Sequence, residues 1–152
     1  MKKIILYPAI VLMGMSAFTA CKKSSSSSAS SKNMTATVNG KSETTSNVIA
    51  VKATMSGVTE MELTGTFSDG HQLLITVFGF NGNGSYTFNT TSTGGTSDAF
   101  WITTGTTSTL ANTSNTGSMT VTSSSSSGLS GSFSFVTNDS TTVSGGSFSA
   151  TY

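Results

Sequence analysis

The sequence predicts an all-β domain: an antiparallel β-sandwich of about eight or nine short strands, with a small up-and-down β-barrel as the alternative. From Met34 onward, apolar residues recur at every second position, which is the period of a half-buried strand. Clusters of Gly, Asn, Asp and Ser separate these segments, and no sustained helical period follows Met34. Because the β-branched side chain of threonine favours strands, a chain rich in hydroxyl residues can still fold.

The alternation gives the strands in order. Four are predicted at Met34–Val38, Asn47–Met55, Met61–Phe67 and Gln72–Phe80, and five more are marked by Tyr86 and Phe88, Ala99–Ile102, Met119 and Val121, Leu129–Phe135, and Phe148–Tyr152. The segment "QLLITVFGF" (Gln72–Phe80) is apolar on both faces. A central strand covered on both sides has this pattern, although one face could instead meet a partner.

Two segments lack the alternation. Thr90–Ser97 and Thr103–Gly117 are rich in threonine, serine, asparagine and glycine, so we predict long loops there. Long loops on a rigid scaffold are common places for binding residues. A disordered, hydroxyl-rich excursion is an equally consistent interpretation.

The N-terminal segment has the pattern of an export signal. Lys2 and Lys3 precede an apolar run from Ile4 to about Met15, and small residues follow. A positive region, an apolar region and small residues are typical of a secretory signal peptide, which we predict at residues 1–20. The alternative is a membrane-spanning anchor, but the run is near the lower length limit for a span and contains Pro8.

The tetrapeptide Phe18-Thr19-Ala20-Cys21 resembles the lipobox of bacterial lipoproteins. The resemblance implies cleavage between Ala20 and Cys21 and fatty acylation, including palmitate, of Cys21. Phe18 departs from the leucine usual at its position. A disulfide is excluded within the chain because Cys21 is the only cysteine, and two or more acyl chains give stable membrane anchoring.

The segment Cys21–Asn33 is predicted to be a flexible tether, because it is rich in lysine and serine and has no apolar period. The β domain then spans 34–152. Without residues 1–20 the chain carries five of its seven lysines, no arginine and six acidic residues, a formal charge of about −1. Nucleic-acid binding needs clustered basic residues, so this class of function is excluded.

Four segments of the domain carry a second resemblance: "MTATVNGK" at Met34, "GSYTFN" at Gly84, "LSGSFSF" at Leu129 and "VSGGSFSATY" at Val143. Together they resemble a Bacteroidetes-type lipoprotein family with a single β domain of unknown function. The resemblance implies a lipid anchor in the outer membrane, without established catalytic residues. Lys22 and Lys23 favour the periplasmic face over the cell surface, because surface-exported lipoproteins of these bacteria often have acidic residues after the cysteine.

No catalytic, metal or cofactor motif is found. His71 lies beside Ser68 and Asp69, but residues in one turn cannot adopt the geometry of a catalytic triad. Glu60 and Glu62 share one strand face as a like-charged pair, and Asp98 and Asp139 are isolated, so the patterns of a zinc or calcium site are missing. We therefore predict a protein without enzymatic activity and without a cofactor.

Binding is the favoured function. Trp101, with Phe100 and Tyr86, could form an aromatic platform for a glycan or an envelope protein, although a lone tryptophan in an apolar strand is more often core. Asp139-Ser140-Thr141 resembles an O-glycosylation signal of exported Bacteroidetes proteins, with Ser140 as acceptor. The sequence thus predicts a lipoprotein that serves as a non-catalytic binding or scaffolding module. The alternatives are a structural subunit that assembles through strand edges, and an enzyme whose site is not visible in sequence.

Overall fold

A computed structural model of the protein describes residues 32–89, 97–104 and 109–152. Among these residues there is no helix long and apolar enough to cross a membrane. The described ranges form ten strands: β1 (Asn33–Val38), β2 (Lys41–Thr45), β3 (Val48–Met55), β4 (Val58–Thr66), β5 (Gln72–Phe78), β6 (Gly84–Asn89), β7 (Asp98–Thr104), β8 (Thr109–Ser124), β9 (Gly128–Thr137) and β10 (Thr142–Thr151). Residues 1–31, which include the predicted signal, Cys21 and most of the tether, lie outside the description.

The strands form one antiparallel sheet in the order β2-β1-β10-β9-β8-β7-β5-β4-β3, and β6 pairs with β8 beside this path. β2 and β3 are the two ends of the path, yet only Ser46 and Asn47 separate them along the chain. The sheet is therefore nearly closed and barrel-like. The predicted all-β antiparallel fold is confirmed.

Hydrogen bonds hold the bend between β2 and β3. The Thr45 hydroxyl donates to the carbonyl oxygen of Thr66 at 2.5 Å and accepts from the backbone N–H of Asn47 at 2.9 Å. The backbone N–H of Thr66 donates to the carbonyl oxygen of Asn47 at 3.0 Å. The chain pairs with β1 before this bend and with β4 after it, so the bend joins the two ends of the sheet.

The interior is filled by the inward-facing residues of the strands. β8 pairs with β9 along one edge. Along its other edge it pairs with two strands that lie end to end, with β6 through residues 116–121 and with β7 through residues 109–113. The largest fully buried apolar side chains are Phe88, Met34, Met61, Leu63, Leu73, Ile75, Met119, Val48, Val77, Val121 and Val143. One continuous core therefore supports every surface considered below.

Two glycines on β9 and β10 make room for phenylalanine rings. Gly131 lies opposite Phe148 and Gly146 lies opposite Phe133 in the ladder. A Cβ atom on Gly131 would overlap the carbonyl oxygen of Thr120 and approach the Phe148 ring, and one on Gly146 would overlap the Phe133 ring. The two rings also pack together, with centroids 6.3 Å apart. The repeated Gly-Ser-Phe segments are thus a packing device in which each ring covers the glycine of the other strand.

Two parts of the sheet differ from the sequence-based expectation. β2 was not predicted, and the predicted loop Thr103–Gly117 is wrong because Thr109–Ser124 is a 16-residue strand. Both segments place polar residues inward: Glu43 and Thr45 are 8% exposed and Ser114 is fully buried. The Ser114 hydroxyl is satisfied there by the backbone N–H of Ala99 at 3.0 Å. Residues 105–108 of this predicted loop, and residues 90–96 of the other, lie outside the described residues.

Candidate functional site

The three aromatic residues of the predicted platform do not come together on one surface. Trp101 is 4% exposed and packs inside against Phe67 and His71, with ring centroids 5.6 and 5.3 Å away. Phe100 lies on the opposite face of β7, because neighbouring residues of a strand alternate in direction. Trp101 is therefore a core residue, which is the alternative that the sequence analysis left open.

Tyr86 faces inward at the end of the barrel where β3 ends. Its ring stacks on Phe80 with a centroid distance of 5.6 Å, and its hydroxyl oxygen lies 2.9 Å from Asn81 Oδ1 and 2.7 Å from the Gly82 carbonyl oxygen. These bonds hold the turn between β5 and β6. Tyr86 is thus half-buried at this end of the core, with one ring face on Phe80 and its hydroxyl held by the turn.

An open pocket of about 430 Å³ lies at the same end of the barrel. The only charged group in its lining is Lys52, whose Nζ lies 4.5 Å above the centroid of the Tyr152 ring. The hydroxyls of Thr54 and Thr59 bond to each other at 2.9 Å. The polar groups of this pocket are largely satisfied within the protein, and no acid, base and nucleophile meet in its lining, which consists of Lys52, Thr54, Thr59, Phe80, Asn81, Gly82 and Ser124.

A cluster of charged side chains occupies the other end of the barrel. Lys41 Nζ lies 2.6 Å from Glu43 Oε1 and 3.5 Å from Asp69 Oδ2, and His71 Nδ1 lies 3.0 Å from the same oxygen of Asp69. The hydrogen bond and charge of Glu43 raise the pKa of Lys41. Partial burial raises the pKa of Asp69. The hydrogen bond from the backbone N–H of His71 and the neighbouring charges outweigh this effect, so the pKa is lowered. These contacts join the β1–β2 turn to the β4–β5 turn.

The remaining carboxylates are spread over the surface. Glu60 and Glu62 lie on the outer face of β4, and Asp98 begins β7. Partial burial raises the pKa of Asp98. Across the described ranges, no group of three or more His, Cys, Asp or Glu residues is arranged to hold a metal ion.

The predicted glycan acceptor Ser140 is exposed in the tight turn between β9 and β10, with a positive φ of 68°. Asp139 Oδ1 accepts hydrogen bonds from the Thr137 hydroxyl and from the Thr141 backbone N–H, the latter at 3.1 Å. The Thr137 bond is the main reason why the pKa of Asp139 is lowered. Modification of Ser140 stays a prediction.

The most unusual surface is the outward face of the β3–β4 hairpin. Four large apolar side chains are exposed there: Ile49 by 56%, Val51 by 53%, Met55 by 74% and Val58 by 51%. Met55, Val58, Ala53, Phe78 and Glu60 also line a cavity of about 330 Å³. We call the outward side chains Ile49, Val51, Ala53, Met55, Val58, Glu60, Glu62 and Phe78 the outer patch.

The apolar character continues across neighbouring strands in the row of Ile49, whereas the row of Val51 is polar. Ile49 is followed across the sheet by Thr64, Leu74 and Phe100, and Val51 is followed by Glu62, Thr76 and Asp98. Leu74, Phe78 and Phe100 are half-buried and face outward. The doubly apolar segment Gln72–Phe80 therefore has one face in the core and one on the surface beside the outer patch.

The alternation in the predicted strand Asn47–Met55 places Ile49, Val51, Ala53 and Met55 on one face, but it does not identify that face as the outer one. The signal was present in β4, where Glu60 and Glu62 share a side opposite to Met61 and Leu63. Since Val51 pairs with Glu62 and Ala53 with Glu60, correct pairing of the two strands would have placed the apolar side chains outward.

Comparison with protein-family models, with curated proteins and with solved structures finds no match to this chain. The functional interpretation therefore depends on the surfaces of the fold and on the sequence motifs.

Proposed function

We propose that this chain is a cell-envelope lipoprotein whose β domain is a non-catalytic module that binds another protein. The outer patch is the observation that supports this proposal. Four exposed, large apolar side chains lie next to one another on one face of two paired strands. Contiguous apolar surface of this kind is typical of an interaction site, whereas apolar residues scattered singly need no explanation.

The chemistry of the outer patch favours a protein ligand over a glycan. Its exposed side chains are aliphatic or thioether groups bordered by two carboxylates, a combination that matches the apolar centre and polar rim of protein interfaces. A glycan platform would instead need a fully exposed flat aromatic ring, whereas Phe78 and Phe100, the aromatic residues that face outward here, are half-buried. Trp101 is buried and the Tyr86 hydroxyl is occupied by Asn81 and Gly82.

The membrane part of the proposal is supported by the N-terminal sequence. The lipobox-like Phe18-Thr19-Ala20-Cys21 and the following lysine- and serine-rich tether would place the domain near the periplasmic face of the outer membrane. Mass spectrometry of the N-terminal peptide, after expression in a Gram-negative host, should detect a diacylated Cys21 and no residues 1–20. An unmodified Cys21 or a retained signal would contradict this part.

The binding part is tested by site-specific photo-crosslinking in cells. A photo-crosslinking amino acid at position 58, in the outer patch, should give a discrete protein adduct, and Met55→Ser should weaken that adduct. The matched control is position 134, which is exposed on the hydroxyl-rich outer face of β9 and should give no adduct. Equal adducts from both positions would contradict a specific surface.

A further inference from the structure

The strand that carries the outer patch also has an edge without a ladder partner among the described residues, although β10 approaches β3. Within the described residues β3 forms a ladder with β4 alone, and it is an end of the sheet path. All five residues 51–55 are exposed, so the second half of this eight-residue strand extends past the covered part of the barrel. An exposed strand edge offers backbone N–H and C=O groups to another chain.

Resting on the proposed function, we propose that the bound partner presents an extended segment of alternating apolar and basic residues, which adds to the free edge of β3 as a further strand. Backbone hydrogen bonds would give affinity, and the outward side chains of the segment would give specificity. Those side chains would lie beside Ile49, Val51, Ala53 and Met55, because residues facing one another across a ladder share a face of the sheet.

Charge determines the chemistry of the segment. Glu62 lies next to Val51 and Glu60 next to Ala53 on the outer face, and Asp98 lies in the same row as Glu62. Lys41 and Lys52 do not neutralise these carboxylates. Lys41 pairs with Glu43 and Asp69, and Lys52 lies on the opposite face of β3, over the Tyr152 ring. The outer patch is therefore apolar and negative, which favours a cationic partner.

The same charges disfavour two other occupants. A second copy joined edge to edge through β3 would bring two sets of Glu60 and Glu62 to one surface, and like charges brought together oppose association. An anionic membrane surface attracts basic segments and would repel these carboxylates. A basic, apolar strand from a different protein fits both features of the surface.

The cavity beside the β3–β4 turn adds a size requirement. Its walls are the side chains of Ala53, Met55, Val58 and Phe78, with Glu60 at one side. A volume of about 330 Å³ accommodates one large apolar side chain. The cavity lies on the β4 side of β3, so we expect the segment to carry a long apolar residue such as leucine or methionine beside the small Ala53, across which its side chain can extend towards the cavity.

The experiment uses the full chain in mild detergent and a fluorescent, end-blocked peptide Thr-Lys-Thr-Val-Thr-Leu-Thr-Lys, whose alternate residues present lysine, valine and leucine to one face. Fluorescence anisotropy should show saturable binding. Replacement of both lysines by glutamate, or N-methylation of the threonines, should each weaken binding by about tenfold or more, because the first reverses the charge and the second removes edge hydrogen bonds. Glu62→Lys should reduce the preference for the lysine peptide, because only Glu60 and Asp98 then remain negative, and Asp139→Asn, in a distant turn, should leave the preference unchanged.

The outcomes separate the inference from the proposed function. Equal binding of the lysine and glutamate peptides overturns the charge requirement, and equal binding of the N-methylated peptide overturns strand addition. If no peptide binds while the adduct at position 58 persists, the partner is not a basic strand but the protein-binding function stands. Absence of that adduct contradicts the proposed function itself. A concentration-dependent dimer that is lost on Val51→Lys would replace the partner by a second copy.

Discussion

The β3–β4–β5 region and the β9–β10 region fold on the same core but present opposite kinds of outer face. On β9 and β10 the outward residues include Ser132, Ser134, Ser144 and Ser147, and hydroxyls bond to one another, as Thr35 and Ser147 do at 2.8 Å. On β3 the outward residues are Ile49, Val51, Ala53 and Met55. Apart from Val136 near the end of β9, serine is sufficient on the outer face of β9 and β10. Folding therefore does not require apolar side chains on the outer face of β3, and contact with a partner explains them better.

The largest effect should come from breaking the glycine and phenylalanine packing of β9 and β10. Gly131→Val places a branched side chain against the carbonyl oxygen of Thr120 and the Phe148 ring. Overpacking of this kind costs about 3 kcal/mol. Urea unfolding should detect the loss, and Ser132→Ala, one residue along and exposed, should change stability by no more than about 0.5 kcal/mol. A Gly131→Val protein as stable as the wild type would show that β9 and β10 can separate without cost.

The bend that joins β2 to β3, the two ends of the sheet, should be the next most sensitive element. Thr45→Ala removes the hydroxyl that bonds to both Thr66 and Asn47. The loss of two partly buried hydrogen bonds should reduce the free energy of unfolding by about 1–2 kcal/mol. Thr44→Ala, at the exposed neighbouring position, is the matched control in the same unfolding measurement. Similar values for both variants would mean that the bend does not hold the sheet closed.

The fold class and nine of the ten described strands were anticipated, wholly or in part, because their inward residues are apolar and alternate visibly, as in β1, β4 and β9. The exception, β2, and the first half of β8 were missed since Glu43, Thr45 and Ser114 take inward positions there. Their polar groups are satisfied by Lys41, Thr66 and Ala99. These partners are distant in sequence for Thr45 and Ser114, so local pattern alone could not identify them.

The candidate site was less predictable than the fold. Alternation defines two faces of a strand but not which face is buried, so the outward direction of Ile49 and Val51 depends on the pairing with β4. The aromatic residues of the predicted platform were selected by residue type alone. In the structure Trp101 is buried in the core. Exposure of a side chain is a property of tertiary packing, which residue type predicts only on average.

Two carboxylates whose pKa values are shifted in opposite directions should also respond to acid with opposite signs. Asp139, in the β9–β10 turn, has a pKa lowered chiefly by the Thr137 hydroxyl. Its contribution to stability is present above the unfolded value of about 3.9 and is lost as the pH falls through the lower, folded pKa. Asp139→Asn should therefore reduce stability by about 1 kcal/mol at pH 7, after allowance for its exposure. Unfolding measured at pH 7 and pH 3 should show the difference shrinking on acidification, and a constant difference would contradict a charge effect.

Asp98, beside the outer patch, should show the reverse. Burial raises its pKa, so its charged form reduces stability at neutral pH, and this penalty disappears as the pH falls through the raised pKa. Asp98→Asn should therefore stabilise the protein at pH 7, by less than about 1 kcal/mol because the group is part-exposed. The gain should diminish towards pH 4 in the same unfolding measurement. Destabilisation at pH 7 would instead indicate that Asp98 has a favourable partner.

The smallest effect on stability should come from the change that matters most for binding. Ile49→Thr with Val51→Thr gives β3 the hydroxyl surface of β9 and keeps β-branched side chains, so the free energy of unfolding should change by no more than about 0.5 kcal/mol. The adduct at position 58 should nevertheless be lost. The control is Ser132→Thr with Ser134→Thr on the outer face of β9, which should preserve both the stability and the adduct at position 58. If the β3 variant unfolds more easily while its adduct remains, the outward apolar side chains stabilise the hairpin itself, and the contrast between the two regions reflects folding and not partner binding.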